Sequence, residues 1–74
     1  MLTGRQIRMA RAALDWSLRV TAERAGVHEN TVRRIERGEN TNPGTLFLLK
    51  STFEAAGVTF LDNGGVVPPE IETL

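Results

Sequence analysis

The sequence predicts a mainly all-α fold, in which four short helices form one compact domain and a β-strand or hairpin follows. Apolar residues recur at helical spacing in four segments, which is the pattern of amphipathic helices. Capping residues or glycines stand at the ends of these segments, where helices begin and stop. The chain then changes to β-branched and aromatic residues around Asn63-Gly64, which is typical of a hairpin.

The first two helices are predicted at residues 3–14 and 18–25. Thr3 and Gln6 have the spacing of a capping box, in which each side chain bonds the backbone N–H of the other residue. Ser17 is a good N-cap for the second helix.

The third and fourth helices are predicted at residues 29–37 and 45–56. Gly38 ends the third helix, and a polar loop rich in turn residues follows it. The inward residues of both helices share a spacing of three or four positions: Val32 and Ile35 in the third, and Leu46, Leu49, Phe53 and Ala56 in the fourth. A helical domain, residues 1–57, is thus followed by a β-like tail, residues 58–74.

The tail is expected to need a surface to pack on, because an isolated two-stranded hairpin is marginal in water. We expect it either to pack on the helices or to pair with a second subunit. Beyond Pro68-Pro69 we expect the chain end to fray.

The formal net charge is zero, but the charges are unevenly distributed. Residues 1–38 hold eight arginines and four acidic residues, whereas residues 39–74 hold one lysine and five acidic residues. A basic half on a neutral chain is what a protein with one anion-binding face would show. Ordinary scatter on solvated helices is the alternative, and the charges alone do not decide between the two.

Composition excludes several classes of protein. The chain has no cysteine and one histidine, so we expect no disulfide, no metal site and no cofactor. Ser17, Ser51 and His28 form no plausible nucleophile set and no phosphate-binding glycine loop is present, so we expect no enzyme. The N-terminus lacks the apolar run of a signal peptide, and no apolar stretch has the length of a membrane span. We therefore expect a cytoplasmic protein.

The second and third helices, joined at Gly26-Val27, have the arrangement of a helix-turn-helix unit. Ala22 and Ala25 are small where the two helices must cross closely, and Gly26 can take the positive φ of the turn. The outward face of the third helix carries only polar side chains, namely Asn30, Arg33, Arg34 and Arg37. Such side chains can bond base edges and phosphates, and a solvated helix surface is the alternative.

The segment WSLRVTAERAGVHENTVRRIERG, residues 16–38, resembles the helix-turn-helix of the phage repressor and Cro type, in the xenobiotic-response-element family of small bacterial regulators. The matching residues are Trp16-Ser17, Ala22, Ala25-Gly26-Val27, Thr31-Val32 and Ile35-Glu36-Arg37-Gly38. The resemblance covers about residues 3–58. It implies a sequence-specific transcriptional regulator, most simply a repressor, whose third helix enters the major groove of double-stranded DNA.

The resemblance implies roles for individual positions. The residues that would contact base edges lie at the start and outer face of the third helix: His28, Glu29, Asn30 and Arg34. The residues that would contact phosphates lie around them: Ser17, Arg33, Arg37, Thr41 and Asn42. Glu29 could accept a bond from cytosine N4 or stabilise the helix N-terminus through its dipole. Arg11 and Glu36, two charged residues on inward faces, are implied to form a partly buried structural salt bridge.

Three positions depart from the family pattern. Leu18 stands where the family usually has a glutamine that bonds phosphate, so we expect that contact to be lost. Thr21 replaces a usual apolar residue, and we expect Val20 or Leu18 to fill its space. His28 replaces the small hydroxyl residue that usually caps the third helix, so it should cap poorly but could donate to a phosphate or a base.

A homodimer is expected, because the β-like tail takes the place of the fifth helix with which the family often dimerises. The candidate contact residues are all apolar: Phe47, Leu48, Val58, Phe60 and Leu61. A dimer would place two recognition helices on successive major grooves of a palindromic operator. The alternative function is a protein-binding module, such as an antitoxin or antiactivator, whose acidic and apolar tail would contact a protein partner.

Overall fold

The computed structural model describes residues 2–39 and 42–70. Within these residues the chain forms four helices and two short strands, which confirms the predicted fold class. The elements are, in order, α1 (Gly4–Leu14), α2 (Leu18–Ala25), α3 (Glu29–Glu36), α4 (Pro43–Ala55), β1 (Thr59–Phe60) and β2 (Val66–Val67). No helix in this part of the chain is long and apolar enough to cross a membrane. Thr41, a predicted phosphate contact, and the chain end that we expected to fray, from residue 71 onward, lie outside the described residues.

The first two helices begin at the caps that the sequence predicts. Oγ1 of Thr3 accepts a hydrogen bond from N of Gln6 at 3.2 Å, and Oε1 of Gln6 accepts one from N of Thr3 at 3.1 Å. Oγ of Ser17 accepts a bond from N of Val20 at 3.0 Å. These bonds satisfy N–H groups that have no partner within the helix itself.

The fourth helix begins at Pro43, two residues before the predicted Thr45. Asn42 accounts for the earlier start, because its Oδ1 caps the helix by accepting a bond from N of Thr45 at 3.1 Å. A proline at the first helical position loses nothing, since its missing N–H would have no helical partner there. α3 and α4 each end one residue earlier than predicted, with Arg37 and Ala56 as their C-caps.

All four helices contribute to one apolar core. Its buried members are Ile7, Ala10, Ala22, Ala25, Val32, Ile35, Leu46, Leu49, Phe53 and Val58. Phe53 stacks on Trp16, with ring centroids 5.6 Å apart, and meets Phe60 edge-on at 6.0 Å. These aromatic contacts join α4 to the connection between α1 and α2 and to the hairpin.

The two strands form the predicted hairpin. They pair in antiparallel register, with Phe60 opposite Val66. Gln6 ties the hairpin to α1, because its Nε2 donates to the backbone oxygens of Leu61 and Gly65 at 3.2 and 3.3 Å. The hairpin therefore packs on the helices of its own chain.

Two sequence-based expectations are wrong. Thr21 itself fills the space that we assigned to Val20 or Leu18: it is fully buried, and its hydroxyl donates to O of Ser17 at 2.8 Å. That bond satisfies the buried hydroxyl. Val58, expected to contact a second subunit, is 2% exposed and lies in the core. Its side chain is therefore too buried to contribute to a dimer interface.

Candidate nucleic-acid interface

The turn between α2 and α3 determines how the two helices cross. Gly26 has a φ of 74°, a left-handed conformation that glycine adopts without steric cost. Directly after it, the N–H of Val27 donates to O of Ala22 at 3.0 Å. Ala22 and Ala25 are both buried, so the two helices approach closely at small side chains.

The third helix has two chemically different faces. Val32 and Ile35 are buried and hold the helix on the core. The four residues predicted to contact bases are all exposed: His28, Glu29, Asn30 and Arg34. A helix of eight residues is about 12 Å long, and the major groove of B-DNA, about 12 Å wide, admits an α-helix with such a face.

His28 is the N-cap residue of α3. Its backbone oxygen accepts a bond from N of Thr31 at 3.0 Å, but its side chain makes no capping bond to the described residues of the helix. The prediction that His28 caps poorly is therefore confirmed. Its imidazole is exposed, and no three His, Asp or Glu side chains in the described ranges come together as metal ligands.

Glu29 and Arg33 form an ion pair one helical turn apart. Nη2 of Arg33 lies 2.9 Å from Oε2 of Glu29, and the side chains are 39% and 44% exposed. This pair was not predicted, although the i,i+4 spacing of its residues is a sequence signal for it. Exposed pairs of this kind contribute only about 0.3–0.5 kcal/mol, so separating the carboxylate from Arg33 has little cost.

Arg34 and Arg37 share the carboxylate of Glu39. Oε1 of Glu39 lies 3.8 Å from Nε of Arg34, and Oε2 lies 3.5 Å from Nη1 of Arg37. Glu39 was expected in the connecting loop, and this contact was not predicted. Each of the three arginines that we expected to face DNA therefore has an acidic neighbour, and the surface is mixed rather than purely cationic.

The two other predicted phosphate contacts within the described residues, Ser17 and Asn42, are exposed N-caps of α2 and α4. Each stands at the positive end of a helix dipole, where an anion is stabilised. The Ser17 oxygen already accepts a bond from the helix, and its hydroxyl hydrogen can still be donated to a phosphate.

A buried carboxylate anchors the C-terminal end of α3 to α1. The Glu36 side chain is 7% exposed. Arg11 donates from Nε to Oε2 of Glu36 at 2.6 Å and from Nη2 to Oε1 at 3.0 Å. Arg8 adds a bond to the backbone oxygen of Glu36 at 3.1 Å. The hydrogen bond with Glu36 raises the pKa of Arg11 above its ordinary value, despite the opposing effect of burial, so the guanidinium stays charged at physiological pH.

The backbones of α1 and α3 also meet directly, at Gly4. A Cβ at this position would clash with O of Ile35 and would lie 2.9 Å from Cα of Glu36. The absence of a side chain at Gly4 therefore sets how closely α1 approaches the end of α3. The one signal for this contact in the sequence is a glycine near a helix start, and the contact was not predicted.

Three of the five predicted dimer contacts are exposed. Phe47 and Leu48 on α4 are 68% and 45% exposed, and Leu61 after β1 is 41% exposed. Phe60 is half-buried against Phe53. The exposed part of the predicted dimer surface is therefore smaller than the sequence predicted, and two of its three residues lie on α4.

An open groove of about 500 Å³ lies beside Leu48, between α4 and the C-terminal part of α2. Its lining includes Trp16, Arg24 and Ala55. The Arg24 guanidinium lies 4.7 Å from the centroid of the Trp16 ring, a cation–π contact. The groove thus combines apolar walls with a cation held at a defined position.

Comparison with known families agrees with this geometry. The model of the family described as "Helix-turn-helix domain" matches residues 3–59, which is most of the 74-residue chain. The match spans α1 to the start of β1 and so includes every element that positions α3. No curated protein matches the chain by sequence. Membership of this family indicates a DNA-binding regulator. The chain belongs to the helix-turn-helix domain family.

Proposed function

We propose that this protein is a sequence-specific transcriptional regulator of the phage repressor and Cro type, most simply a repressor, that inserts α3 into the major groove. The observation that carries the proposal is the two-faced α3. One face is anchored by Val32, Ile35 and the buried Glu36, while the other exposes polar and cationic side chains. A reading helix that is already held in place loses little freedom on binding. Repression requires only that the bound protein occlude a promoter.

The exposed side chains of α3 match the chemistry of base edges. Arg34 can donate two bonds to guanine, Asn30 can bond two atoms of adenine, and Glu29 can accept from cytosine N4. His28, at the helix start, would donate to a base or a phosphate. In this assignment Glu29 leaves Arg33, which turns to a phosphate.

Phosphate contacts would surround this reading surface. We assign them to Ser17, Arg33, Arg37 and Asn42. Such contacts set the register and orientation of the protein on the duplex but carry no sequence information directly. They also supply the affinity for DNA of any sequence.

We further propose that the protein acts in the cytoplasm as a homodimer on a palindromic operator. Phe47 and Leu48 are the most exposed large apolar residues of α4, and a second copy of the chain would remove them from water. A two-fold dimer would place its recognition helices about 34 Å apart, one turn of DNA.

Selection of bound sites from random-sequence DNA tests the proposal. We expect a palindrome whose half-site centres are about 10 base pairs apart. For each phosphate that the protein neutralises, the logarithm of the binding constant should fall by about 0.9 for every tenfold rise in salt concentration. A double variant, Asn30→Ala with Arg34→Ala, serves as the control: it should lose the selected site and keep low-salt binding to random DNA. Absence of binding to any DNA at low salt would contradict the proposal.

The groove beside Leu48 favours a second candidate function, binding of a protein partner as an antitoxin or antiactivator does. Its apolar walls and the Arg24 cation would suit an apolar side chain next to a carboxylate. In this case Arg24→Ala would abolish partner binding and leave DNA binding unchanged. A wild-type chain that binds no DNA at low salt would favour this candidate over the first.

A further inference from the structure

Glu39 occupies a position between two arginines that we assign to DNA. Its two carboxylate oxygens lie 3.8 Å from Nε of Arg34 and 3.5 Å from Nη1 of Arg37. The Glu39 side chain is 48% exposed, so the carboxylate is at the surface that would face the duplex.

The backbone at the end of α3 holds Glu39 there. Gly38 has a φ of 79° and reverses the chain. The N–H of Gly38 donates to O of Ile35 and the N–H of Glu39 donates to O of Arg34, both at 2.9 Å. These two bonds form a complete Schellman motif. They carry Glu39 back onto the last turn of α3, so the position of its side chain depends on an ordered backbone.

An acidic residue is unfavourable at this end of a helix. The C-terminal end carries the negative pole of the helix dipole, which favours cations. The two guanidinium groups offset that cost, but they are also the groups that DNA would use. The helix dipole therefore does not favour a glutamate at this position.

We propose that Glu39 determines specificity, by making Arg34 a reader of bases rather than a binder of phosphates. This inference rests on the proposed function. Glu39 approaches Arg34 at Nε, which leaves both Nη groups for the two acceptors of guanine, O6 and N7. Those acceptors are uncharged, so a neighbouring carboxylate does not repel them. A phosphate on Arg34 carries a full negative charge and is repelled.

The effect falls mainly on binding to random DNA. Such binding depends almost entirely on phosphate contacts. The repulsion between Glu39 and phosphate therefore weakens the contacts that supply the affinity for random DNA. At the selected site Arg34 would contact a base, and the repulsion between Glu39 and phosphate is smaller. Glu39 therefore widens the ratio between the two affinities by weakening the non-specific one.

The test compares wild type and Glu39→Gln on two duplexes, a site selected by the wild type and a random sequence. Removal of one unit charge a few ångströms from a phosphate corresponds to roughly a threefold to tenfold change in affinity. We expect random-DNA affinity to rise by that factor and its salt slope to steepen by up to about 0.9. Affinity for the selected site should rise by a smaller factor, because there only Arg37, and not Arg34, would contact a phosphate beside Glu39, so the specificity ratio should fall.

Glu54→Gln is the matched control, because Glu54 lies on α4 and forms no ion pair with any residue that the structure describes. It removes the same charge and should leave the specificity ratio unchanged. Thermal melting checks that Glu39→Gln keeps the fold. If Glu39→Gln changes both affinities equally or neither, while the wild type selects a site, only the inference on Glu39 is overturned. A wild type that binds no DNA overturns the proposed function and this inference together.

Discussion

Arg11 and Glu36 form a two-point ion pair, with Nε–Oε2 and Nη2–Oε1 distances of 2.6 and 3.0 Å. It joins α1 to the C-terminal end of the helix that we assign to the major groove. Arg11 also donates to the backbone oxygen of Trp16 at 3.1 Å, so one guanidinium links three segments of the chain. The pair fixes the orientation of α3 while its own atoms stay away from the exposed face.

Replacement of Arg11 by alanine should strongly destabilise the protein without changing which DNA it prefers. The Glu36 carboxylate would remain buried without its partner, which typically costs about 3–5 kcal/mol. In a domain of this size the melting temperature should fall by more than about 10 °C. Arg19→Ala is the control, because Arg19 is exposed and its one ion pair among the described residues is with exposed Glu23, so its loss should cost under about 0.5 kcal/mol. An unchanged melting temperature with weaker DNA binding would show that Arg11 contacts DNA instead.

Replacement of Gly4 by alanine should also destabilise the fold. Alanine would gain about 1 kcal/mol or less in helix propensity. Its Cβ would strike backbone atoms of Ile35 and Glu36, and overpacking costs about 1–3 kcal/mol or more, so the clash outweighs the gain. Gly44→Ala is the comparison, since its Cβ would come closest to a side-chain atom, Oδ1 of Asn42, at 3.2 Å. Chemical denaturation of the two variants should therefore show the larger loss at Gly4, and equal stabilities would contradict the close approach of α1 and α3.

The sequence predicted best those features whose partners are close in the chain. The capping box at Thr3 and the inward stripe of Val32 and Ile35 depend on spacings of three residues, so local pattern was sufficient. The burial of Thr21 was not predicted, because a polar hydroxyl is uncommon in an apolar core. The hydroxyl can be buried here because it bonds the backbone of the preceding turn.

Features that depend on the folded arrangement were harder to predict. Gln6 was assigned only to the cap, yet its amide also donates to the hairpin more than fifty residues later. The pair of Arg11 and Glu36 was reached through family resemblance, because no local pattern joins residues 25 positions apart. Glu39 was missed although it is close to Arg34 in sequence, since its contact depends on the chain reversal at Gly38.

Replacement of Arg34 by alanine and replacement of Arg37 by alanine should affect DNA binding in different ways. Arg34→Ala should cost about 1–3 kcal/mol at one base position and relax the preference there. Arg37→Ala should weaken binding to all sequences alike and reduce the salt slope by about 0.9. Titration of each variant against the selected site and its single-base substitutions distinguishes the two effects. The same loss from both variants on every duplex would contradict the division into a base reader and a phosphate binder.

Replacement of Phe47 by serine should dissociate the proposed homodimer. Phe47 is 68% exposed in the protomer, so the change should leave the fold intact. Loss of an aromatic hot-spot residue from an interface costs about 2 kcal/mol or more, so the dimer dissociation constant should rise by more than about tenfold. Sedimentation equilibrium measures this change.

Met9→Ser is the control for that experiment, since Met9 is an exposed apolar residue of α1, 40% exposed, outside the proposed interface. Affinity of the Phe47 variant for a full palindrome should approach its affinity for a half-site, because the two recognition helices would no longer bind as one unit. Affinity for a single half-site should stay that of the wild type. A wild-type chain that sediments as a monomer at tens of micromolar, or a Phe47 variant that stays dimeric, would exclude α4 as the dimer interface.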